Sequence, residues 1–422
     1  MDASSSAGEP RVFINREALL HNARIIRQAV GSKVSVCAVV KADAYGHNVG
    51  IVAETLCGFP LDEMGTPPVN ALAVATIDEA LALNEPTVPV VILRPVENAF
   101  IGRQKQQIEE SIRNGWIVTV CSPSAADDVN RIAVNLGQMA YVQVMVDTGM
   151  SRSGVLPDDF SQLMDRINHH VGLRLFGFCT HFACSEDADN TFTSEQFTRF
   201  CEVTDEPTAW RKKQGVNMVR HVANSGAVFT WPDTHMDMVR PGLALYGIDP
   251  TGAFRPEVPL MPVMRWAANL LLVKNVRKGQ GVGYGQTWHC GRDSRLGLVP
   301  VGYADGYLRA WSNTAVMMVH GKPAPVAGRV SMDMTMIDLT DIPEAMAGDE
   351  VVIMDDDPMS PASVYALAKH GQTIPYEIFC RIGARVHRVA VGEPKIGDSL
   401  NPKAQESLIR SPGRPVREPA RI

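Results

Sequence analysis

Val34-Ser-Val-Cys-Ala-Val-Val-Lys41 is an apolar run that ends on a cation, and Ala42-Asp-Ala-Tyr-Gly-His-Asn48 follows it. The run is apolar at consecutive rather than alternate positions. That pattern suits a strand buried on both faces, as strands of a parallel sheet are. Working outward, strands are expected at 35–41, 70–75, 88–93, 116–120, 140–147, 173–179, 217–221 and 236–239. Segments with helical periodicity, such as 77–83 and 158–167, separate most of them. Ahead of the first strand, Asn15 is placed to cap a helix whose apolar face carries Leu19, Leu20, Ala23 and Ile26. Strand and helix alternating about eight times fits a closed (β/α)8 TIM-type barrel better than an open doubly wound sheet. No G-x-G-x-x-G follows the first strand, so a dinucleotide-binding sheet has little support.

From about residue 255 the texture changes. Short β-type runs at 270–276, 296–301 and 351–354 alternate with Gly-rich turns such as Gly281-Val-Gly-Tyr-Gly285, and a short helix is expected around 360–369. The expected fold class is therefore α/β plus all-β. A (β/α)8 barrel over 10–254 precedes a mainly β domain over 255–401, with flexible tails at 1–9 and 402–422.

Of the 422 residues, 45 % are hydrophobic and 20 % charged, a globular composition that excludes disorder, collagen and coiled coil for the whole chain. Lys and Arg number 40 against 46 Asp and Glu, and a net charge of -6 disfavours non-specific nucleic-acid binding. No apolar run approaches the roughly 18 residues a membrane span needs. The opening MDASSSAGEP has neither the basic start nor the apolar core of a secretory signal, so a cytoplasmic location is expected. The eight cysteines form no C-x-x-C pair and read as reduced thiols. No metal site is expected, because Asp233/His235/Asp237 and Asp355–Asp357 read as solvated polar faces.

In a closed parallel barrel the active site lies at the C-terminal strand ends. Those ends carry Lys41 with Tyr45, Asp147 followed by Arg152, then His181, Asn224-Ser225-Gly226 and Arg240-Pro-Gly242. A partly desolvated lysine favours the neutral amine that a Schiff base needs. A strand-end lysine that snorkels to solvent is the plainer explanation of Lys41 alone. Its neighbours tip the balance. The glycine-flanked Asn224-Ser225 and Arg240–Gly242 turns can offer backbone N–H groups to a phosphate. Lysine, phosphate cradle and arginine together suggest pyridoxal 5'-phosphate (PLP).

The chain resembles the alanine racemases, a fold-type III family of PLP enzymes. The resemblance rests on VVKADAYGHN (39–48), VDTGMSRSG (146–154), THFACSED (180–187), HVANSGA (221–227), VRPGLALYG (239–247), GYGQTW (283–288), VGYADGY (301–307), GRVSMDM (328–334) and PYE (375–377). It implies interconversion of L- and D-alanine through a PLP external aldimine, supplying D-alanine for peptidoglycan. Lys41 carries PLP and serves as one base. Tyr284 from the partner subunit of a homodimer with shared active sites serves as the other. Tyrosine, with a reference pKa of about 10, needs cationic or hydrogen-bonding neighbours for that task; His181 and Arg240 are the family's candidates. Arg240 matches the partner of the pyridine nitrogen. Tyr45, Ser225, Gly242, Leu243 and Tyr376 match phosphate-contacting positions, with Asn224 beside them. Arg152 matches the residue that orients the substrate carboxylate. Met332, Asp333 and Tyr303 match positions at the substrate pocket and its entrance.

Two positions depart from the family pattern. Met145 stands where many members carry a carbamylated lysine that holds the arginine, and Ser331 stands where cysteine is frequent. Three alternatives stay open. A racemase of broader range is one, although such enzymes are often exported. A barrel-type PLP decarboxylase is another, although it would pair the pyridine nitrogen with a carboxylate where Arg240 stands. A non-catalytic PLP carrier is the third, although carriers are usually lone barrels.

Overall fold

The structure, a computed structural model, describes residues 8–83, 86–252 and 255–393. The expected tails fall outside those residues, apart from residues 8 and 9. The chain opens with β1 (Arg11–Asn15). Eight strands then follow: β2 (Ser35–Val39), β3 (Ala71–Val74), β4 (Val90–Pro95), β5 (Ile117–Val120), β6 (Ala140–Met145), β7 (Leu173–Cys179), β8 (Val219–His221) and β9 (Met238–Val239). They form one parallel sheet in the order β8-β7-β6-β5-β4-β3-β2-β9. The barrel is almost closed between its end strands. A parallel bridge joins Asn224 to Arg240, and the Arg240 N–H donates to Ala223 O at 2.8 Å. All eight expected strands are present.

Both faces of most of these strands are covered, which is why β3 and β5 are apolar or Thr and buried at every position, whereas the short β8, Val-Arg-His, is only part-buried. Asn15 caps the helix Arg16–Val30, its Oδ1 accepting from the Ala18 N–H at 3.1 Å, a contribution of about 1 kcal/mol. Leu19, Leu20, Ala23 and Ile26 are buried as the periodicity expected.

The second half adds β10 (Met264–Asn269), β11 (Leu272–Val276), β12 (Gly281–Val282), β13 (Trp288–His289), β14 (Ser294–Val299), β15 (Val316–Val319), β16 (Lys322–Pro325), β17 (Thr335–Asp338), β18 (Glu350–Met354) and β19 (His387–Val391). A six-stranded sheet runs β16-β15-β18-β10-β1-β19, beside the three-stranded β11-β14-β17 and the hairpin β12-β13. Strand β1 therefore does not join the sheet of the barrel segment in which its sequence lies. It pairs antiparallel with β10 and parallel with β19, partners more than two hundred residues away in the chain. Its burial alternates, as suits a strand with one face on a core. The short helix expected near 360–369 is Val364–Gly371, and a further helix, Pro375–Arg381, brings Tyr376 to the barrel rim.

Candidate active site

A cavity of about 890 Å³ opens at the C-terminal ends of the barrel strands. Lys41, Tyr45, Arg152, His181, Asn224, Ser225, Arg240, Gly242, Leu243 and Tyr376 all line it. These ten expected site residues are thus brought together within one chain.

Lys41 enters the cavity on an unusual piece of backbone. Ala42, Asp43 and Ala44 have φ of 53–54° and ψ of 48–50°, and Tyr45 has φ 55°. Four consecutive non-glycine residues are left-handed, each at a cost of about 1–2 kcal/mol that the surroundings must offset. The Glu79 carboxylate accepts the Ala42 N–H at 2.9 Å, and Asp43 Oδ1 accepts the Val49 N–H at 2.7 Å. Glu79 also closes a capping box with Thr76 at the start of the helix Ile77–Leu81. Burial first, and then the nearby Arg152 cation, lowers the Lys41 pKa from its ordinary value. Both causes favour the neutral, nucleophilic amine.

Arg240 is 6 % exposed and is fixed from several sides. Nη1 donates to His221 Nδ1 at 2.8 Å and to His221 O at 2.6 Å; Nη2 donates to Thr180 O at 2.7 Å, Val222 O at 3.2 Å and His181 Nδ1 at 3.3 Å. The contact at His221 continues inward. His221 Nε2 donates to Gln143 Oε1 at 2.8 Å, Gln143 Nε2 to Thr119 Oγ1 at 2.7 Å, and the Thr119 hydroxyl to Ile92 O at 2.6 Å. Every link in this chain is buried. Because arginine only donates, the direction of the whole chain is set, and His221 is the neutral Nε2–H tautomer. Burial and the adjacent Arg240 hold the His221 pKa well below its usual value. His181 is pushed down to about 3 by burial, then by Arg240, Arg152 and Lys41, so it too is neutral near pH 7. Gln196, also buried, donates to His181 O at 3.1 Å and to Thr148 Oγ1 at 3.2 Å.

At the other end of the cavity Ser225 Oγ accepts the N–H groups of Gly242 at 2.9 Å and Ala244 at 3.3 Å. Asn224 caps the helix Ser225–Thr230, accepting the Ala227 N–H at 3.1 Å and the Ser185 hydroxyl at 2.6 Å. A Cβ at Gly242 would sit 2.5 Å from the Tyr45 hydroxyl oxygen, so any larger residue there would displace the buried Tyr45 ring. Tyr376 packs beside Tyr45 with ring centroids 5.9 Å apart, and burial raises its pKa to about 12. Met145 lines the cavity with Arg152, and its sulfur accepts the Ser153 hydroxyl at 3.6 Å.

Tyr284, Tyr303, Met332 and Asp333 do not line this cavity. They lie on the β domain, with Tyr284 71 %, Met332 53 % and Tyr303 45 % exposed. A small separate core of Val282, Cys290, Leu296 and Ala327 seats the turn that carries Tyr284. The loops of Tyr303 and Met332 are stitched together: the Tyr303 N–H donates to Ser331 O at 3.1 Å and the Ala304 N–H to Met332 O at 3.0 Å. Arg385 bridges Asp305, at 2.6 and 3.1 Å, to Asp333 at 2.7 Å.

Glu79, Gln143, Gln196 and His221 escaped the sequence reading as members of the site. Gln143 left a signal, being the amide inside the otherwise apolar strand Ala140–Met145. A buried polar group in such a run needs a partner, and that alone marks it for attention. Gln196 and Glu79 left none, for both sit on helices where polar residues are ordinary.

Comparison with known proteins places this arrangement. Family models described as "Alanine racemase, N-terminal domain" and "Alanine racemase, C-terminal domain" match residues 14–250 and 263–390. The alanine racemase of Desulfovibrio desulfuricans is 38 % identical over 90 % of this chain and 97 % of its own length. The structure of alanine racemase from Streptomyces coelicolor superposes with a TM-score of 0.80 at 34 % identity, covering 91 % of this chain and 98 % of that one. That of Bartonella henselae alanine racemase, described with covalently bound pyridoxal phosphate, gives 0.77 at 28 % identity, covering 91 % and 99 %. With both halves matched in order and the fold shared over nine-tenths of its length, the chain belongs to the alanine racemase family.

Proposed function

We propose that the cavity binds PLP on Lys41 and that the protein racemises alanine there with two bases on opposite faces of the substrate. The observation that carries this reading is the convergence on one cavity of three features. They are an amine with lowered proton affinity, a buried guanidinium and the Ser225–Gly242–Tyr45 cradle. The residues fit the cofactor: the cradle has a glycine where any Cβ would collide, and Lys41 is partly desolvated. Lys41 would hold the aldehyde carbon. Tyr45, Ser225, Gly242, Leu243 and Tyr376 would hold the phosphate with Asn224 beside them, and Arg240 the pyridine nitrogen. When bound, the cofactor withdraws electrons from the substrate Cα and so acidifies its proton.

The chain's own groups do the rest. Lys41 exchanges the Cα proton on one face. Tyr284 of the partner subunit exchanges it on the other, which accounts for a tyrosine so exposed on a single chain. Arg240 would face the ring nitrogen and, since it cannot give up its proton, would moderate the ring's pull and disfavour decarboxylation and transamination. His181, neutral, receives Arg240 on one side and is steadied by Gln196 through its carbonyl. Arg152 orients the substrate carboxylate. Tyr303, Met332 and Asp333 narrow the partner's pocket to a small side chain.

The same reading makes the protein a homodimer that completes each site across its two-fold axis. It divides the chain near residue 254, with β1 lent to the C-terminal unit. It also places the enzyme in the cytoplasm, in keeping with eight free thiols, where its D-alanine supplies peptidoglycan synthesis. Among the described residues no helix is long and apolar enough to cross a membrane.

Exchange of the Cα proton of L-alanine in D2O with added PLP, followed by NMR beside L-serine and L-lysine, tests the activity. Fast exchange with racemisation of alanine alone is the expected result. Equal rates on the larger amino acids would replace it with a broad-specificity racemase. Light scattering that shows a monomer at full turnover would remove the shared site.

A further inference from the structure

The left-handed turn Ala42–Tyr45 calls for a cause, since it has no glycine and only Asp43 among its residues favours that backbone. Backbone N–H groups reach Ala42 O at 2.9 Å and Ala44 O at 3.1 Å, which leaves the end of so short a turn only partly satisfied. The His47 side chain adds to them. Its Nδ1 donates to Ala44 O at 3.1 Å and Tyr45 O at 3.0 Å from a position with no solvent exposure. The ring also carries the turn's aromatic side chain into line. It stacks on Tyr246 at 4.5 Å, and Tyr246 in turn packs on Tyr45 at 4.9 Å. Phe379 meets the imidazole edge-on at 4.9 Å. Arg388 ties the end of the turn, its Nε donating to Gly46 O at 3.0 Å.

We infer that His47 is a positioning residue that locks the Lys41-bearing turn in its left-handed form and thereby aims both Lys41 and Tyr45 into the cavity. This rests on the reading of the cavity as the PLP site. The other imidazole nitrogen, Nε2, is buried without a partner, so the ring is retained for its Nδ1 side. Burial pushes the His47 pKa down to about 3, so the imidazole stays a neutral Nδ1–H donor throughout the working pH range. Phenylalanine would fill the same aromatic slot between Tyr246 and Phe379 but would leave Tyr45 O without this donor and Ala44 O with backbone N–H groups alone.

Three variants separate hydrogen bonding from packing. In His47→Asn the amide nitrogen can occupy the Nδ1 position. In His47→Gln it falls near Nε2 instead. His47→Phe keeps the ring without a donor. PLP affinity is read from the absorbance of the bound cofactor in the purified full chain, with kcat and KM for alanine at saturating PLP. Hydrogen exchange of peptides spanning residues 41–48 is read without PLP.

His47→Phe and His47→Gln are expected to bind PLP about tenfold more weakly, the loss of roughly one buried hydrogen bond. They should exchange faster at 41–48 and lower kcat more than they raise KM. His47→Asn is expected to restore most of each property. Unchanged exchange at 41–48 in His47→Phe would overturn the inference, whatever the cofactor does. If that variant does not fold, equal behaviour of the Asn and Gln variants overturns it. Wild-type protein that takes up no PLP would instead overturn the cofactor reading, while the exchange data still decide whether His47 holds the turn.

Discussion

Arg240 on the barrel rim is 6 % exposed and tied to Thr180, His181, Val222 and His221, whereas Tyr284 on the β domain is 71 % exposed. The histidines divide partly the same way. His47 and His221 in the barrel are fully buried, though His169 at the end of the helix Phe160–His169 is exposed, while His289, His320, His370 and His387 of the β domain are all exposed. The barrel aims its cavity groups with buried hydrogen bonds, and the C-terminal unit adds Tyr376 to the same cavity. That unit presents Tyr284, Tyr303 and Met332 outward on stitched loops. Under the proposed function, Tyr284 lies outside its own chain's cavity because it serves that of a second copy, and that proposal can be broken.

The largest expected effect tests it directly. Lys41→Ala and Tyr284→Phe should each abolish nearly all racemisation, because in the proposed mechanism each removes one of the two bases. Dissociating the two variants, mixing them in equal amounts and letting them reassociate should recover about one quarter of wild-type activity. Half of the dimers are then hybrids, and each hybrid has one intact site. A mixture as inactive as its parents would show that Lys41 and Tyr284 do not meet across subunits.

The histidines sharpen the comparison through acid stability. His47 and His181 lie near 3, and His221 lies well below its usual value, against about 6.5 unfolded. As pH falls below 6.5 the unfolded chain takes up protons that the folded barrel refuses, so stability is full above pH 6.5 and is lost on descending towards pH 3. At pH 5 the loss is about 2 kcal/mol for each such histidine. Hydrogen exchange at pH 5 against pH 7 should therefore show the barrel strands opening before the β domain. Equal loss of protection in both would contradict the assignment of the acid-sensitive groups.

How far the sequence foretold this structure depended on whether the signal was local. Most barrel strands were legible because burial on both faces writes an apolar run into them, while β8, Val-Arg-His, was read from its place in the alternation. Strand β1 was not among the expected strands, since five residues ahead of a helix give little local signal and its partners lie at 264–269 and 387–391. The left-handed turn was invisible, as Lys-Ala-Asp-Ala-Tyr contains no glycine to announce it. Lys41, Arg240 and the cradle residues were legible as a set on one rim, and their individual roles only through family resemblance. The chain from Arg240 to Ile92 needed coordinates, because its members come from five different strand regions.

That chain supplies the next test. Gln143→Leu is nearly isosteric and fills the barrel, but it leaves His221 Nε2 and Thr119 without their buried partner, a cost of about 1–3 kcal/mol in stability. It also releases His221 to turn or change tautomer, so Arg240 loses a fixed acceptor. The expected result is a lower kcat with little change in KM and a shifted absorbance of the bound cofactor. Gln143→Glu should be worse than Gln143→Leu, since it brings a buried charge to the middle of the barrel. Wild-type spectra and rates in Gln143→Leu would show that Arg240 is held well enough by its backbone acceptors.

The smallest effect is expected on the β domain, where Arg385 is half exposed and its pKa is raised by its bonds to Asp305 and Asp333. Solvent screens such pairs, and the usual contribution is at most about 1 kcal/mol. Asp305 itself is buried, and keeps the Gly302 N–H at 2.8 Å when the arginine is gone. Arg385→Ala should therefore leave the fold and PLP binding nearly unchanged. Its mark should fall on KM, because the bridge to Asp333 and the turn of Asp305 together steady the loops of Met332 and Tyr303. Arg385→Lys, which keeps the charge but loses the two-pronged grip on Asp305, should lie between. Should Arg385→Ala instead lower stability as much as Gln143→Leu, the β-domain loops would be as firmly built into the protein's core as the barrel rim, and exposure would be a poor guide to where this protein stores its precision.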